Sequence, residues 1–522
     1  MKKLALLLCG IFFFQLPSAS WAERTGEQAQ RIRDLQRLFL RLQSTSGQLY
    51  TEHQALKDQV MGVKVTGDGK AYFLNNSVQT AGQELKDLSY GNLVDLGVSL
   101  RVSPKGYATG VMRLLNGNIT TANVLFEAED DFVLKIGDFA LQYTPLTLLE
   151  PDVDFQRTPY LLQRQKWLGL PEVRTGESRQ LSGAMVEFMP ADKATVNALW
   201  AITGMEDVET ETFSQQLQGG RLSLVLTPHA ELGFSLVRIE DNAATRQANS
   251  IARSPIFNQV LGGNIALQLL PGLNFAGELA ASRYQDDAGS SFEPLSGRAY
   301  RAMLEAPVGK INLVGEFSYA TPNYLALAAH PASAELTSLQ RQSYDASAIF
   351  PLGKATPNRK AAVISAGYKL KAFTLRATGV LAGEIQAADQ DGELLDSGAL
   401  RSFREAELAV DGKVGPVALS ATYVKGAVDR KEGALPELEL KTDTAALDLK
   451  LPVAEKYNLL FALLAEAQKG TSEKRTRQVG YGVEYAFSQD TSIYVQDVFI
   501  TERTAGGEQK QRTMGAEFRF LF

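Results

Sequence analysis

The chain has 522 residues, enough for three or four domains of about 150 residues or for one large β-barrel. Its formal net charge is −6, whereas a nucleic-acid-binding protein should carry a basic surplus, so the sequence predicts no nucleic-acid partner. One cysteine, Cys9, and three histidines leave no internal disulfide and little material for thiol or imidazole metal sites. We therefore expect no cofactor and no bound metal.

The first 22 residues resemble an export signal. Lys2 and Lys3 precede an apolar run from Leu4 to Leu16, and Ser20-Trp21-Ala22 forms a small-x-small cleavage site. The sequence therefore predicts a signal peptide over residues 1–22. This run is shorter than the about 20 residues of a transmembrane helix, and no run of 18 apolar residues follows. The alternatives left are a soluble secreted protein and an outer-membrane barrel.

Residues 23–62 have helical spacing. Apolar residues recur at intervals of three, four and seven, which is the pattern of a coiled-coil seam, at Ile32, Leu35, Phe39, Leu42, Leu49, Leu56 and Val60. The pattern predicts a short α-helical coiled-coil segment. Its seam is too narrow to form a domain core, so it needs partners, most simply copies of itself. The alternative is a surface helix packed on its own domain.

From Val63 to the end of the chain the apolar period changes to two. In one example, Leu273, Phe275, Gly277, Leu279 and Ala281 alternate with Asn274, Ala276, Glu278, Ala280 and Ser282. Many such strands are about ten residues long, the length that a tilted strand needs to cross a bilayer. The sequence thus predicts an all-β, antiparallel, up-and-down transmembrane barrel over residues 63–522.

Short and long connections alternate along this region. Predicted long connections include 74–92, 144–180 and 320–361, and the turns between them are brief, as in outer-membrane barrels. Counting strands from both ends gives about 22, with 18 to 24 left open because Tyr344–Phe350 also alternates. In the strand at Thr491–Thr501, Gln496 and Asp497 are adjacent, so one of them must face outward unless a bulge intervenes.

The last residues combine an aromatic face with a charged face. Phe518, Phe520 and Phe522 alternate with Glu517 and Arg519, and Gly515 precedes them. This segment resembles the terminal β-signal of bacterial outer-membrane barrels. The resemblance implies location in the outer membrane of a Gram-negative-type bacterium. It also implies recognition by the barrel-assembly machinery and contact with outer-membrane lipid and lipopolysaccharide.

A helical seam directly before the first strand also resembles porins with a periplasmic N-terminal coiled coil. The resemblance implies that the N-terminal helix lies in the periplasm and that residues 24–62 join the chain into a homo-oligomer, a trimer. A plugged, energised transporter is not favoured. Its globular plug would need far more than the roughly 40 residues available ahead of the barrel.

The predicted inner face carries both signs of charge. The candidate pore-lining residues are Asp95, Arg101, Arg113, Glu278, Arg301, Glu305, Glu316, Arg376, Glu405 and Glu407. Because neither sign dominates, we expect weak selectivity that slightly favours cations. The alternative is that most of them form structural ion pairs between neighbouring strands. Tyr143 is expected at a strand end, in an interfacial aromatic girdle.

The connection at 144–180 is the most unusual one. It is long, rich in proline and aromatic residues, and predicts either a loop that constricts the pore or one that caps its mouth. The first functional hypothesis is a channel for passive diffusion of small polar solutes; the second is a barrel that scaffolds a periplasmic or surface partner. An enzyme is not expected, because His53, His229 and His330 all fall outside the predicted strands.

Overall fold

A computed structural model describes most of the chain beyond residue 62. The described ranges are 63–80, 83–103, 106–116, 118–128, 132–149, 179–191, 193–203, 215–241, 257–285, 294–329, 349–350, 353–388, 394–431, 438–470, 473–488 and 490–521. The chain divides into two units, 1–65 and 66–522, and the description below concerns the second. The predicted signal peptide, the coiled-coil segment at 23–62 and Phe522 lie outside the described residues.

The described residues form 22 strands and two short 3-10 turns, at Leu327–Ala329 and Gly353–Ala355. The strands are β1 Val63–Thr80, β2 Gln83–Ser103, β3 Gly106–Leu115, β4 Asn118–Ala128, β5 Phe132–Leu141, β6 Arg179–Ala191, β7 Ala194–Thr203, β8 Gln215–Thr227, β9 Ala230–Asp241, β10 Phe257–Leu270, β11 Leu273–Gln285, β12 Leu295–Val308, β13 Ile311–Ala320, β14 Arg359–Leu370, β15 Phe373–Gly383, β16 Ser402–Val414, β17 Val417–Arg430, β18 Leu438–Ala454, β19 Tyr457–Gly470, β20 Lys474–Ala486, β21 Thr491–Thr504 and β22 Gly507–Leu521.

All 22 strands belong to one sheet, and the sheet closes on itself. Each strand pairs antiparallel with its neighbours in sequence, and β1 pairs with β22 from Asp68 opposite Leu521 to Thr80 opposite Gln509. The predicted closed antiparallel barrel is therefore confirmed, and the strand number within the predicted range is 22. None of the described helical turns is long or apolar enough to cross a membrane.

The connections differ in length between the two ends of the barrel, although 81–82, 116–117 and 505–506, at the end with the long connections, are as short as the turns of the other end. At one end, turns such as Pro271–Gly272 and Lys371–Ala372 join strands through two residues. At the other end, connections such as 142–178 and 321–358 are much longer. Since outer-membrane barrels have short periplasmic turns and long outer loops, we call these the periplasmic and the outer end.

One predicted long connection is wrong. Residues 74–92 were expected to form an outer loop, but β1 continues to Thr80 and β2 begins at Gln83. The reason is that β22 extends equally far, so Thr80 still finds a pairing partner in Gln509. With their backbone groups paired in this way, these polar residues are kept in strands although the side chains of 79–80 and 83–87 are exposed.

Alternation assigns one face of each strand to the outside. Leu279 is 65% exposed, Leu261 60% and Ile364 67%, and further large apolar residues occupy the same face around the sheet. Their neighbours in sequence, such as Glu278, face the interior, which we call the lumen. Aromatic rings make contacts near the periplasmic end of the outer face, joining Tyr457, Tyr485, Phe487, Phe518 and Phe520.

Strand β21 crosses the barrel without a bulge, so of the adjacent residues Gln496 and Asp497 one faces outward. Its pairing with β22 is continuous from Thr491 to Thr504, and Asp497 lies opposite Met514 on the outer face. Asp497 is paired with Arg512 at 2.7 Å and accepts a hydrogen bond from the Tyr481 hydroxyl at 3.0 Å. The Arg512 guanidinium also lies 5.0 Å from the centre of the Phe499 ring. The charge of the outward-facing Asp497 carboxylate is thus compensated by these neighbours, and the strand does not need the bulge that was the predicted alternative.

This outward ion pair predicts a large effect of removing one partner. In Arg512→Leu, the Asp497 carboxylate stays on the apolar face without its cation, so the free energy of unfolding should fall by about 2–4 kcal/mol. In the double variant Asp497→Ala/Arg512→Leu most of this loss should be recovered. Urea unfolding in phospholipid vesicles measures both. A single variant as stable as the unmodified protein would contradict the outward assignment of Asp497.

Candidate functional site

The connection after β5 turns into the lumen. Leu146, Thr147 and Leu148 are fully buried, and the Leu146 amide donates a 3.1 Å hydrogen bond to Glu278 Oε1. Glu278 faces the lumen five residues above the start of β11 at Leu273 and seven below its end at Gln285. Residues 142–149, which we call the first infolded segment, therefore reach the middle height of the barrel.

Polar side chains of the barrel wall hold the two ends of this segment. The Tyr143 hydroxyl donates to Asn197 Oδ1 at 2.5 Å, and Arg221 Nη1 donates to the Tyr143 carbonyl at 2.7 Å. Ser235 Oγ reaches Thr147 Oγ1 at 3.4 Å. Asn197, Arg221 and Ser235 lie opposite one another on β7, β8 and β9. Tyr143 was expected in an outer aromatic girdle, and that prediction is wrong because its ring turns inward.

A second infolded segment, residues 321–329, packs beside the first. The Tyr324 hydroxyl donates to the Leu146 carbonyl at 2.5 Å, and the Leu149 amide donates to the Ala328 carbonyl at 3.0 Å. Asn258 on the wall binds this segment twice, donating to the Leu325 carbonyl at 2.9 Å and accepting from the Leu327 amide at 3.0 Å. The two segments are therefore hydrogen-bonded to the wall and to each other. We call them together the infolded unit.

Small residues of the wall make room for this unit. A Cβ atom added at Gly262 would lie 2.5 Å from Thr147 Cγ2, and one added at Gly297 would collide with the Tyr324 backbone. Apolar contacts complete the packing: buried Leu148, Leu325 and Leu327 meet the inner wall, in a cluster that includes Phe139, Leu181, Met185, Leu199, Leu217, Val237 and Ile239. These wall positions face the lumen yet are apolar, because protein covers them.

The connection between β13 and β14 sends a third element inward. Lys354, in the 3-10 turn Gly353–Ala355, lies 2.8 Å from Glu316 Oε1, and Arg301 Nε lies 3.1 Å from the same oxygen. Ala355 is fully buried in a cluster with Leu146 and Tyr324. Glu316 is thereby shared between the wall and the infolded elements at the middle height of β13.

A fourth element, the connection between β15 and β16, lies at the outer end of β14–β16. Glu384 pairs with Arg401 at 2.6 Å and also accepts the Arg401 amide at 2.8 Å, and both side chains are almost fully buried. Asn358 Oδ1 accepts from the amides of Ile385 and Gln386. Two outer connections, β13–β14 and β15–β16, are thus tied together by buried polar groups.

The rest of the inner wall carries charges that do not bind the infolded segments. Bidentate or single ion pairs link neighbouring strands at Asp95–Arg113 (2.6 Å), Asp68–Arg519 (2.5 Å) and Arg376–Asp411 (3.9 Å), and Lys450–Glu484 (2.8 Å) joins β18 to β20 across β19. Apolar residues interrupt this wall on β19 and β21, where Leu460, Ala462, Leu464, Tyr494 and Val498 pack together. The lumen is therefore bounded by infolded backbone on one side and by paired charges on the other.

The predicted pore-lining residues divide between these two sides. Glu278, Arg301 and Glu316 are brought together beside the infolded segments, and Asp95 with Arg113 stands on the charged wall. By strand alternation the remaining described candidates also face the lumen, namely Glu305, Arg376, Glu405 and Glu407. The side chain of Arg101 lies outside the described residues, as does Phe522 of the assembly signal.

Several site residues were not predicted from the sequence. Asn197, Arg221 and Asn258 bind the infolded segments and Lys354 binds a wall carboxylate, but each is an ordinary polar residue in sequence. The available signal was the pair of apolar faces in β9, where Val237 and Ile239 face inward while Phe234 and Leu236 face outward. A strand that is apolar on both faces indicates that something covers its inner side.

Burial also sets the protonation of the two phenols in the infolded segments. It raises the pKa of Tyr143, with a smaller opposing effect from Arg221, and raises the pKa of Tyr324 well above its usual value. Both hydroxyls therefore keep the proton that they donate to Asn197 and to the Leu146 carbonyl. Within the described ranges, no group of three His, Cys, Asp or Glu residues is placed to hold a metal ion.

Comparison with known proteins finds similar structures only at low sequence identity. No family model matches the chain, and no curated protein matches it. OpdQ of Pseudomonas aeruginosa is 11% identical, with 88% of this chain and 98% of that chain covered and a TM-score of 0.38. The siderophore receptor PirA of the same species is 9% identical, with 88% and 80% covered and a TM-score of 0.45.

A third similar structure is the anion-selective porin from Comamonas acidovorans. It is 11% identical, with 88% of this chain and 100% of that chain covered and a TM-score of 0.32. Of these three structures, one is described as a porin and another as a siderophore receptor. Identities of 9–11% and TM-scores below 0.5 transfer no functional property of these proteins to this chain.

The Glu278 contact predicts how firmly the first infolded segment is held. In Glu278→Ala the buried amide of Leu146 loses its acceptor, which costs about 1–3 kcal/mol and should raise cleavage by chymotrypsin within 142–149 about tenfold. Glu278→Gln keeps an acceptor oxygen and should stay protected. Glu407→Ala, a lumen-facing acid on β16, is the matched control. Equal cleavage rates in all three variants would contradict the infolded arrangement.

Proposed function

We propose that this protein is an outer-membrane channel for passive diffusion of small polar solutes. The observation that carries the proposal is the infolded unit, in which outer connections descend to Glu278 and are fixed there by wall side chains. A barrel that served only as an anchor would not need backbone held at the middle of its lumen. A channel needs such an element to set the size of what passes.

The charges of the lumen favour weak selectivity between ions. On the wall that faces the infolded unit, acids and bases occur in pairs, as in Asp95 with Arg113 and Lys450 with Glu484. Paired charges orient water and polar solutes but create little net potential along the pore. We therefore propose polar solutes of either charge as the substrate class, with a slight preference for cations.

Assembly and partners remain part of the proposal. The terminal residues Gly515, Phe518 and Phe520 pair with β1, where Leu74 stands opposite Gly515 and Ala71 opposite Phe518. Recognition of this strand by the assembly machinery and trimer formation through residues 24–62 stay predictions from sequence. A scaffold that binds a periplasmic or surface partner is the competing function, and it differs by having no conductance.

Planar-bilayer recording separates these functions. The purified protein should insert in steps of ionic conductance, with a reversal potential near zero in a salt gradient. Glu278→Ala/Tyr324→Phe, which loosens the infolded unit, should increase the single-channel conductance measurably, because less backbone narrows the lumen. Leu279→Ala, one residue away on the outer face, should leave it unchanged. Folded protein that inserts without conductance would support the scaffold instead.

A further inference from the structure

Five basic residues lie close together on the outer face of β20–β22. Strand alternation places them on the same side as the exposed residues Tyr481 and Phe499. We call this set the outer basic patch, and its members are Arg475, Arg477, Arg503, Lys510 and Arg512. All five are exposed. Basic side chains that face outward from a membrane barrel need either water or an anion as a neighbour.

The acids within the patch do not balance these bases. Glu508 is shared by Arg503 at 2.8 Å and Lys510 at 3.1 Å, and Asp497 is used by Arg512. Neither Arg475 nor Arg477 forms an ion pair with any other residue that the structure describes. Two acids against five bases leave three positive charges on adjacent strands.

Two of these bases directly oppose each other across the sheet. Arg475 on β20 pairs in register with Arg503 on β21. Like charges in directly opposite positions destabilise a strand pair. Glu508 offsets this repulsion only in part because Arg503 and Lys510 share it, and an anion placed between the two arginines removes the rest of the cost. The arrangement therefore favours a bound anion that contacts both strands, and arginine is the residue best shaped to hold phosphate in this way.

The height of the patch matches the outer boundary of the apolar band. Arg477 and Arg512 each stand eight residues from an aromatic of the periplasmic end, Tyr485 and Phe520 respectively. At a rise of about 3.4 Å per residue and a tilt of about 40°, that separation is about 21 Å along the barrel axis, close to the about 25 Å of an outer-membrane apolar band. Apolar Val479, Val483 and Phe499 continue below the patch on the same face.

We propose that the outer basic patch binds the phosphorylated head group of a lipid in the outer leaflet. The cations take the phosphate at the membrane boundary, and the acyl chains lie along the apolar residues beneath them. This proposal rests on the outer-membrane location given under the proposed function, but it assigns a binding site on the opposite face of the wall from the lumen.

Binding of lipid A in detergent tests the site. Bisphosphorylated lipid A, titrated into the purified protein and followed by native mass spectrometry, should bind with an affinity that falls steeply as salt rises. The variant Arg475→Gln/Arg477→Gln/Lys510→Gln should bind about 100-fold more weakly, at about fivefold for each cation removed near an anionic head group. Fully dephosphorylated lipid A should not bind the unmodified protein measurably.

The matched control removes three positive charges from the lumen side. Arg376→Gln/Lys413→Gln/Lys450→Gln should keep lipid A binding and change conductance, while the patch variant should lose binding and keep conductance. Equal binding of phosphorylated and dephosphorylated lipid A by the unmodified protein would overturn the proposal, whether or not the variant folds. So would displacement of lipid A by millimolar inorganic phosphate, which would indicate a general anion site. A failure of conductance alone bears on the channel and not on this site.

Discussion

The constraint on which this structure depends is that no backbone polar group can be left unpaired in hydrocarbon. A sheet satisfies this condition only when it has no free edge, and the pairing of β1 with β22 removes the last edge. Every other feature follows from that closure. The polar face must enclose the lumen because the outer face is apolar, and a charge that does lie on the outer face is compensated by its neighbours, as Asp497 is by Arg512 and Tyr481.

The same requirement governs the infolded segments. Backbone that leaves the sheet and enters a packed interior needs hydrogen-bond partners, and the wall supplies them through Glu278, Asn258 and Ser282. Gly262 and Gly297 let the segments approach the strands closely, and buried leucines contribute about 1.5–3 kcal/mol each. The site is thus a second layer of protein, attached to one side of the barrel and facing charged pairs on the other.

Strand positions and barrel class could be predicted from sequence because a period of two repeated over more than 450 residues has few explanations. The lengths of β1 and β2 could not be predicted from sequence. Residues 74–92 are mostly polar, and they are kept in strands by pairing with a β22 that extends equally far. The inward course of residues 142–149 was left open as constriction or cap. It depends on single contacts such as Tyr143 with Asn197, which join positions far apart in the chain. Inward-facing Val237 and Ile239 were the signal that the wall is covered.

The most direct test of the account is whether alternate residues of one strand meet lipid and water. The predicted export signal contains the only cysteine, Cys9, so single cysteines can be placed at Glu405, Ala406, Glu407 and Leu408 of β16 without background. The account predicts that Glu405→Cys and Glu407→Cys react with a charged, water-soluble thiol reagent. Ala406→Cys and Leu408→Cys should be unreactive, and a fluorophore attached to them before insertion should be quenched by brominated lipid. Uniform labelling of all four positions, with no quenching, would contradict a barrel with hydrocarbon outside and water within.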